Sequence, residues 1–303
     1  MKKTNIFVLT GFLGAGKTTF LNKLLAYFEA KKQTCTVIMN EIGQMPIDDK
    51  LLPDQTNVRT LTNGCLCCQN KEQFENLLVS TIQNEHLDNL IIECSGASHP
   101  AEVITDCLNP LISDQINYKG CLAVVNVPQF LTLDEMAPQV KQLILEQLKY
   151  ADIIIPTKTD LLTAEQLLTW TDYQQSSILQ TKISTQTDLA QILTKLQSVT
   201  TQTQIAHEHH HSHLNHVTYT FSKPINSIAF ENWLTQLPDN IYRIKGFINF
   251  SDNPAPKCYL FQYAYGVPLT QAYELKMPFN LVIIGLNLNQ NQIIAELKAL
   301  EQQ

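Results

Sequence analysis

Gly11-Phe12-Leu13-Gly14-Ala15-Gly16-Lys17-Thr18 fits the pattern G-x-x-x-x-G-K-[ST] in full. Glycines at those places let backbone N–H groups turn inward around phosphate oxygens. A helix opening at Lys17 adds partial positive charge at its N-terminus. Lys17 would reach the β and γ phosphates, and the Thr18 hydroxyl would ligate Mg2+. The nucleotide-binding set is read as Gly11, Gly14, Ala15, Gly16, Lys17, Thr18 and Thr19. Ile91-Ile92-Glu93-Cys94-Ser95-Gly96 is an apolar strand that ends in an acid, the pattern of a Walker B element. Glu93 is expected on the same rim as the phosphate loop, binding Mg2+ directly or through water. Lys17 and Glu93 together are the expected catalytic residues. Thr157-Lys158-Thr159-Asp160 follows another apolar run. A carboxylate at Asp160 can accept from guanine N1–H and the N2 amino group, and adenine offers no such pair. Lys158 and Asp160 therefore join the nucleotide set, and GTP is the expected nucleotide. The usual motif is Asn-Lys-x-Asp. Thr157 in place of Asn leaves the strictness of GTP over ATP open.

Three thiols crowd into four residues at Cys65, Cys67 and Cys68. Thiolates are soft ligands suited to Zn2+ or Cu+, and Zn2+ takes them tetrahedrally. Adjacent thiolates suppress one another's ionisation, so a cation is a natural neutraliser. The competing reading is a disulfide or a redox sensor. Gly64 permits the backbone curl that convergence of the three sulfurs requires. The other five cysteines (Cys35, Cys94, Cys107, Cys121, Cys258) are scattered, and burial is the default for each. Six of the eight histidines fall between His207 and His216. Imidazoles at His207, His209, His210, His211, His213 and His216 can bind Zn2+, Ni2+, Co2+ or Cu2+. A flexible tract loses conformational entropy on ordering, so any such binding should be modest and exchangeable. The alternative is a solvated polar linker.

These groups need a frame. Strand-like runs at 5–10, 35–40, 58–61, 90–93, 121–127 and 152–156 alternate with helical spacings at 17–32, 74–82 and 140–150. Alternation of this kind predicts an α/β fold, a mainly parallel sheet flanked by helices. Its strands present their C-terminal ends on one rim, where ligands bind. Beyond residue 216 the order becomes a strand, a helix, three strand-like runs and a closing helix, which predicts a smaller α+β domain. The expected division is residues 1–199 for the P-loop domain, 200–216 for a His-rich mobile linker and 217–303 for the C-terminal domain. Trp233 is expected in the core of the latter.

Taken together, GFLGAGKTT, GCLCC, ECSG and TKTD resemble the CobW-type metal-chaperone GTPases. Asn40-Glu41-Ile42-Gly43 is similar to that family's Asn-Glu-Phe-Gly segment, with Ile42 in place of Phe. Arg243-Ile244-Lys245-Gly246-Phe247 is similar to the strand motif of its C-terminal domain. The resemblance implies a P-loop GTPase domain followed by a smaller α+β domain, with metal-regulated GTP hydrolysis and metal delivery as the activity. By position it makes Cys65, Cys67 and Cys68 the thiol cluster and Glu41 a fourth ligand. It makes Asp48 a residue of the Mg2+ or switch region.

The chain has 303 residues with a net charge of −7. That charge disfavours a general nucleic-acid binder. Mean hydropathy is −0.08, and no apolar run approaches the roughly 20 residues of a membrane span. A cytoplasmic chain without a disulfide framework is expected. The function expected is a slow, metal-regulated GTPase that uses GTP and Mg2+ and delivers Zn2+ (or Co2+) to a client metalloprotein. Homo-oligomers are allowed by the sequence. The rivals are a zinc buffer or metal sensor with a purely structural nucleotide, a cobalt-delivering homologue, and a P-loop kinase or ATPase.

Overall fold

The computed structural model describes residues 2–41, 57–62, 68–176, 183–184, 188–202, 214–253, 258–264, 266–275 and 277–302. Contacts divide the chain into two units, Met1–Cys107 with Gln115–Gln202, and Leu108–Asp114 with Thr203–Gln303.

The first unit runs β1 (Thr4–Thr10), α1 (Lys17–Ala30), β2 (Cys35–Glu41), β3 (Asn57–Thr62), α2 (Cys68–Asn84), β4 (Asn89–Cys94) and α3 (Pro100–Cys107). It resumes with β5 (Ile116–Asn126), α4 (Val127–Leu131), α5 (Pro138–Lys149), β6 (Ile153–Thr157), α6 (Ala164–Ser176) and α7 (Leu189–Gln202). Its six-stranded sheet has the order β3-β2-β4-β1-β5-β6, and every pairing is parallel. Strands covered on both faces read as continuous apolar runs, and all six residues of β4 are buried. On one face Phe7, Leu9, Val37, Ile91 and Val124 meet α1 and α7. On the other Ala123, Val125 and Ile154 meet α4, α5 and α6.

Helix α1 owes its place to Phe20, Leu21, Leu24, Leu25 and Phe28, a stripe at helical spacing that is wholly buried. Each such side chain contributes about 1.5–3 kcal/mol by leaving water. The N-terminal cap is Gly16, whose hydrogen cannot act as a capping side chain, and the first turn carries no acid. The first-turn N–H groups and the positive end of the dipole are thereby left for an anion.

The second unit contains β7 (Leu214–Thr220), α8 (Ser227–Thr235), β8 (Ile241–Ile248), β9 (Cys258–Ala264), β10 (Val267–Tyr273), β11 (Asn280–Leu286) and α9 (Gln290–Leu300). Its sheet order is β10-β9-β8-β11-β7, antiparallel throughout. Alternate residues of β8 and β11, among them Ile244, Ile248, Leu281 and Ile283, pack on Phe230 and Trp233 of α8 and on Ile293 and Leu297 of α9. Asn226 and Asn289 cap the two helices, accepting from Ala229 N and Gln292 N.

Leu108–Asp114 interrupts the first unit in sequence yet belongs with the second. Asn280, only 5% exposed, donates from Nδ2 to Pro110 O at 2.9 Å and to Ser113 Oγ at 3.3 Å. The bounds of the linker also differ from the expected 200–216. Helix α7 continues to Gln202, and β7 begins at Leu214. His216 is therefore a strand residue, in register with Ile284. Among the described residues, no helix is long and apolar enough to cross a membrane.

Candidate functional site

All six parallel strands of the first unit end on one edge, and the chemistry-bearing segments leave from those ends. In register, Leu9 pairs with Glu93, Asn40 with Cys94 and Asn126 with Thr157. The loop after β1 curls because Gly11 adopts φ +146° and leaves no room for a side chain: a Cβ there would collide with Val124 O. Lys17 lies across the resulting loop, with Nζ donating to Gly11 O at 2.9 Å. Thr18 is half-buried and Thr19 exposed.

Glu93, at the end of β4, is only 3% exposed. Its neighbour Cys94 is fully buried, and its thiol is pushed up to about 12. Burial is the main cause. The Lys17 ammonium opposes it and the Glu93 carboxylate reinforces it, which puts both charges within electrostatic reach of one sulfur. A carboxylate and a threonine hydroxyl are hard oxygen donors, the set that suits Mg2+.

The end of β6 and the turn after it are latched to the phosphate loop by two side chains. The Thr157 hydroxyl lies 2.7 Å from Ala15 O and 2.9 Å from Val125 O, and its one proton serves both carbonyls. Lys158 takes a left-handed conformation at φ +57° and donates from Nζ to Gly14 O at 3.0 Å. Asp160 follows in an exposed 3-10 turn, Thr159–Leu161. Thr157 thus ties this segment to the phosphate loop.

The turn after β4 also meets that loop. A Cβ on Gly96 would sit 2.8 Å from Leu13 N and 3.1 Å from Leu13 Cα, so only glycine permits the approach. Helix α5 holds the turn from the other side. Gln147 Nε2 lies 3.1 Å from Gly96 O and 3.4 Å from Ser98 O, and His99 Nδ1 lies 2.7 Å from Glu146 Oε2. Sequence reasoning missed Gln147. The signal was there: Ile144, Gln147 and Leu148 are the buried residues of α5, so a glutamine occupies a place on an apolar stripe.

A family model described as the CobW/HypB/UreG nucleotide-binding domain matches residues 5–186. A second, the cobalamin synthesis protein cobW C-terminal domain, matches residues 214–301. The chain belongs to the CobW family. Among its relatives, the zinc chaperone YjiA of Escherichia coli is 36% identical over 167 residues, covering 53% of this chain and 51% of that protein. The zinc chaperone CobW of a Sinorhizobium species is 28% identical over 332 residues, covering 92% of each. The match to YjiA thus spans about half the length of that relative. The solved structure of Zn(II)-bound YjiA GTPase from E. coli aligns over 99% of each chain at 24% identity, with a TM-score of 0.45.

In this CobW-family chain the expected metal residues fall largely outside the described set. Cys65, Cys67, Asp48, His207, His209, His210, His211 and His213 lie outside it altogether. Glu41 is the last residue of β2, paired in register with Thr62 at the end of β3, and Cys68 is the first residue of α2. Their side chains are outside the described set. Among the described residues no group of three or more His, Cys, Asp or Glu could hold a metal ion. Of the scattered cysteines, Cys94, Cys107 and Cys121 are buried as expected, whereas Cys35 and Cys258 are only half-buried. His86 and His99 are both exposed.

Burial raises the thiols of Cys94 and Cys107 far enough that neither ionises near neutral pH. The thiolate is the nucleophile toward alkylating agents. Native iodoacetamide labelling at pH 7.5 is therefore expected to spare Cys94 and Cys107. Labelling that Zn2+ blocks should be confined to Cys65, Cys67 and Cys68. Peptide mass spectrometry with and without Zn2+ reads this directly, and zinc protection at any scattered cysteine would contradict it.

Proposed function

We propose that the chain is a GTP-hydrolysing metallochaperone of the cytoplasm. It holds a transition metal ion, zinc above cobalt, on Cys65, Cys67 and Cys68 and passes the ion to a client metalloprotein. The observation that carries this reading is the shared sheet edge. The phosphate loop leaves β1 there, Glu93 stands at the end of β4 there, and β2 and β3 end there at Glu41 and Thr62. Thr62 is three residues before Cys65, and the cysteine run closes at the first residue of α2. The naming of relatives as zinc chaperones supports zinc as the cargo.

In this reading the backbone of Gly11, Gly14, Ala15 and Gly16 receives the phosphates, with Thr18 and Thr19 at the helix start. Lys17 exchanges its bond to Gly11 O for phosphate oxygens. Asp160 accepts from the guanine edge, and Thr157 and Lys158 keep its turn against the phosphate loop. Thr18 and Glu93 would hold Mg2+, which neutralises phosphate charge when bound. Asp48 belongs to the same Mg2+ or switch region. Water attacks the γ phosphorus, the bond to the β–γ bridging oxygen breaks, and GDP and phosphate leave. Turnover is slow because no arginine finger is evident in these segments. Glu41 completes the thiolate site, and the histidines at 207–213 load metal weakly.

Coupling between the two sites is the testable core. If GTP alters zinc affinity by some factor, zinc alters GTP affinity by the same factor. Zinc affinity should be measured with a non-hydrolysable GTP analogue, with GDP and with neither. We expect the analogue to change it at least about fivefold relative to GDP, the lower end of ordinary allosteric coupling. Equal affinities in all three states would overturn the chaperone cycle and leave a zinc buffer with a structural nucleotide.

A further inference from the structure

We propose that Gln147 is a positioning residue for the triphosphate state: from α5 it sets the Gly96–His99 turn against the phosphate loop. The proposal rests on the GTPase reading above and names a residue outside the sequence motifs.

Gln147 is 1% exposed. A primary amide carries two N–H donors, and the Nε2 of Gln147 faces two carbonyls of a single turn, Gly96 O at 3.1 Å and Ser98 O at 3.4 Å. A buried amide without partners is costly. The helix and the turn therefore hold each other in one arrangement. The turn is closed within itself as well, since Ala97 N donates to Ser95 Oγ at 3.2 Å and Ser98 N donates to Ser95 O at 3.0 Å. Its far end is tied to the same helix by His99 and Glu146, 2.7 Å apart. Its near end rests on the phosphate loop, where a Cβ on Gly96 would come within 2.8 Å of Leu13 N.

GDP and GTP share the phosphates that the loop backbone receives, and Lys17 reaches the β phosphate of both. They differ by one phosphoryl group. The Gly96 turn follows the Walker B strand and abuts the mouth of the phosphate loop, so it is placed to register that group. Fixing Gly96 O fixes the Gly96–Ala97 peptide plane. Gln147 thus sets the angle at which the turn meets a third phosphate without touching the nucleotide.

The test compares wild type with Gln147→Met, which keeps length and volume but offers no donor, and with Gln147→Glu, which presents acceptors to the two carbonyls. Dissociation constants for GDP and for a non-hydrolysable GTP analogue are measured with kcat for GTP. The expected result is a loss of about tenfold in analogue affinity and in kcat, the scale of an unpaired buried group, with GDP affinity within about twofold. Equal losses for both nucleotides would make Gln147 a packing residue and overturn the proposal. Unchanged values in both variants would overturn it too. A wild-type chain that binds neither nucleotide would sink the GTPase reading and take the proposal with it. Should the variants fail to fold, hydrogen exchange of the wild type decides. Segments 95–99 and 144–149 should gain protection together with analogue over GDP, and an analogue-independent 144–149 would refute the link.

Discussion

Lys17→Ala is expected to slow GTP turnover about a thousandfold while leaving zinc binding by the nucleotide-free chain unchanged. The Lys17 ammonium is half-buried at the first residue of α1 and donates to Gly11 O across the loop. In the reading proposed above, that bond holds a charge where phosphates would bind. A unit charge about 4 Å from a phosphoryl oxygen, at an effective dielectric near 20, contributes about 4 kcal/mol. Loss of that interaction in the transition state corresponds to about three powers of ten in rate. Stability should hardly move, because the alanine leaves the buried stripe of α1 intact, and Ala is the best helix former. Single-turnover phosphate release, a thermal melt and zinc titration together separate these effects. A variant whose zinc affinity still responds to GTP analogue as in wild type would mean that the phosphate loop is not the coupling element. Turnover at the wild-type rate would remove Lys17 from catalysis altogether.

Much of the first unit is legible because its elements are specified by local pattern. The stripe from Phe20 to Phe28 is buried at every position it predicts, and the apolar run Leu90–Ile92 is buried on both faces of the sheet. The phosphate loop is legible for a different reason. Its three glycines all take positive φ within eight residues, a local demand that spacing records, although Gly11 also packs against the distant Val124 O. Strand β10 illustrates the opposite case. Val267–Tyr273 sits at a sheet edge and is exposed at six of its seven positions, so neither alternation nor a buried run marks it. Its existence depends on pairing with β9 alone. Strand β5 is longer than its apolar run, beginning at Ile116. Its pairing with β1 shifts register between Ile6 and Phe7, beside Gly120 at φ +132°.

The features that escaped sequence reading, in the candidate site and in the second unit, are those made by contacts far apart in the chain. Gln147 answers carbonyls about fifty positions earlier, at Gly96 and Ser98. Asn280 answers Pro110 and Ser113, and it draws Leu108–Asp114 into the second unit. The chain therefore passes from β4 through α3 into the second unit before it returns to form β5. Spacing can mark Gln147 as a polar residue on an apolar stripe, but it cannot name the distant carbonyls that such a residue answers. Thr157 lies between the two cases. The departure from Asn-Lys-x-Asp is visible in the sequence, yet its bond to Ala15 O requires the fold.

The combined substitution Cys65→Ser, Cys67→Ser, Cys68→Ser is expected to lower zinc affinity by at least about a thousandfold. A serine hydroxyl does not ionise near neutral pH and is a hard donor, whereas zinc draws much of its affinity from soft, charged thiolate ligands. Nucleotide binding in zinc-free buffer should stay within twofold of wild type, since Lys17, Glu93 and Thr157 are untouched. Thermodynamic linkage adds a second readout. With the thiolates gone, zinc at concentrations that saturate wild type should no longer change GTP affinity, and GTP analogue should no longer change what zinc binding remains. That residue is assigned to the histidines, so removing His207, His209, His210, His211 and His213 from the triple variant should abolish it. The same five substitutions in the wild-type background should spare the tight site. Isothermal titration with zinc, run on the four proteins with and without analogue, distinguishes these outcomes. Tight, analogue-responsive zinc binding in the triple-serine chain would move the cargo site away from the cysteine run. The common sheet edge would then retain only its nucleotide role.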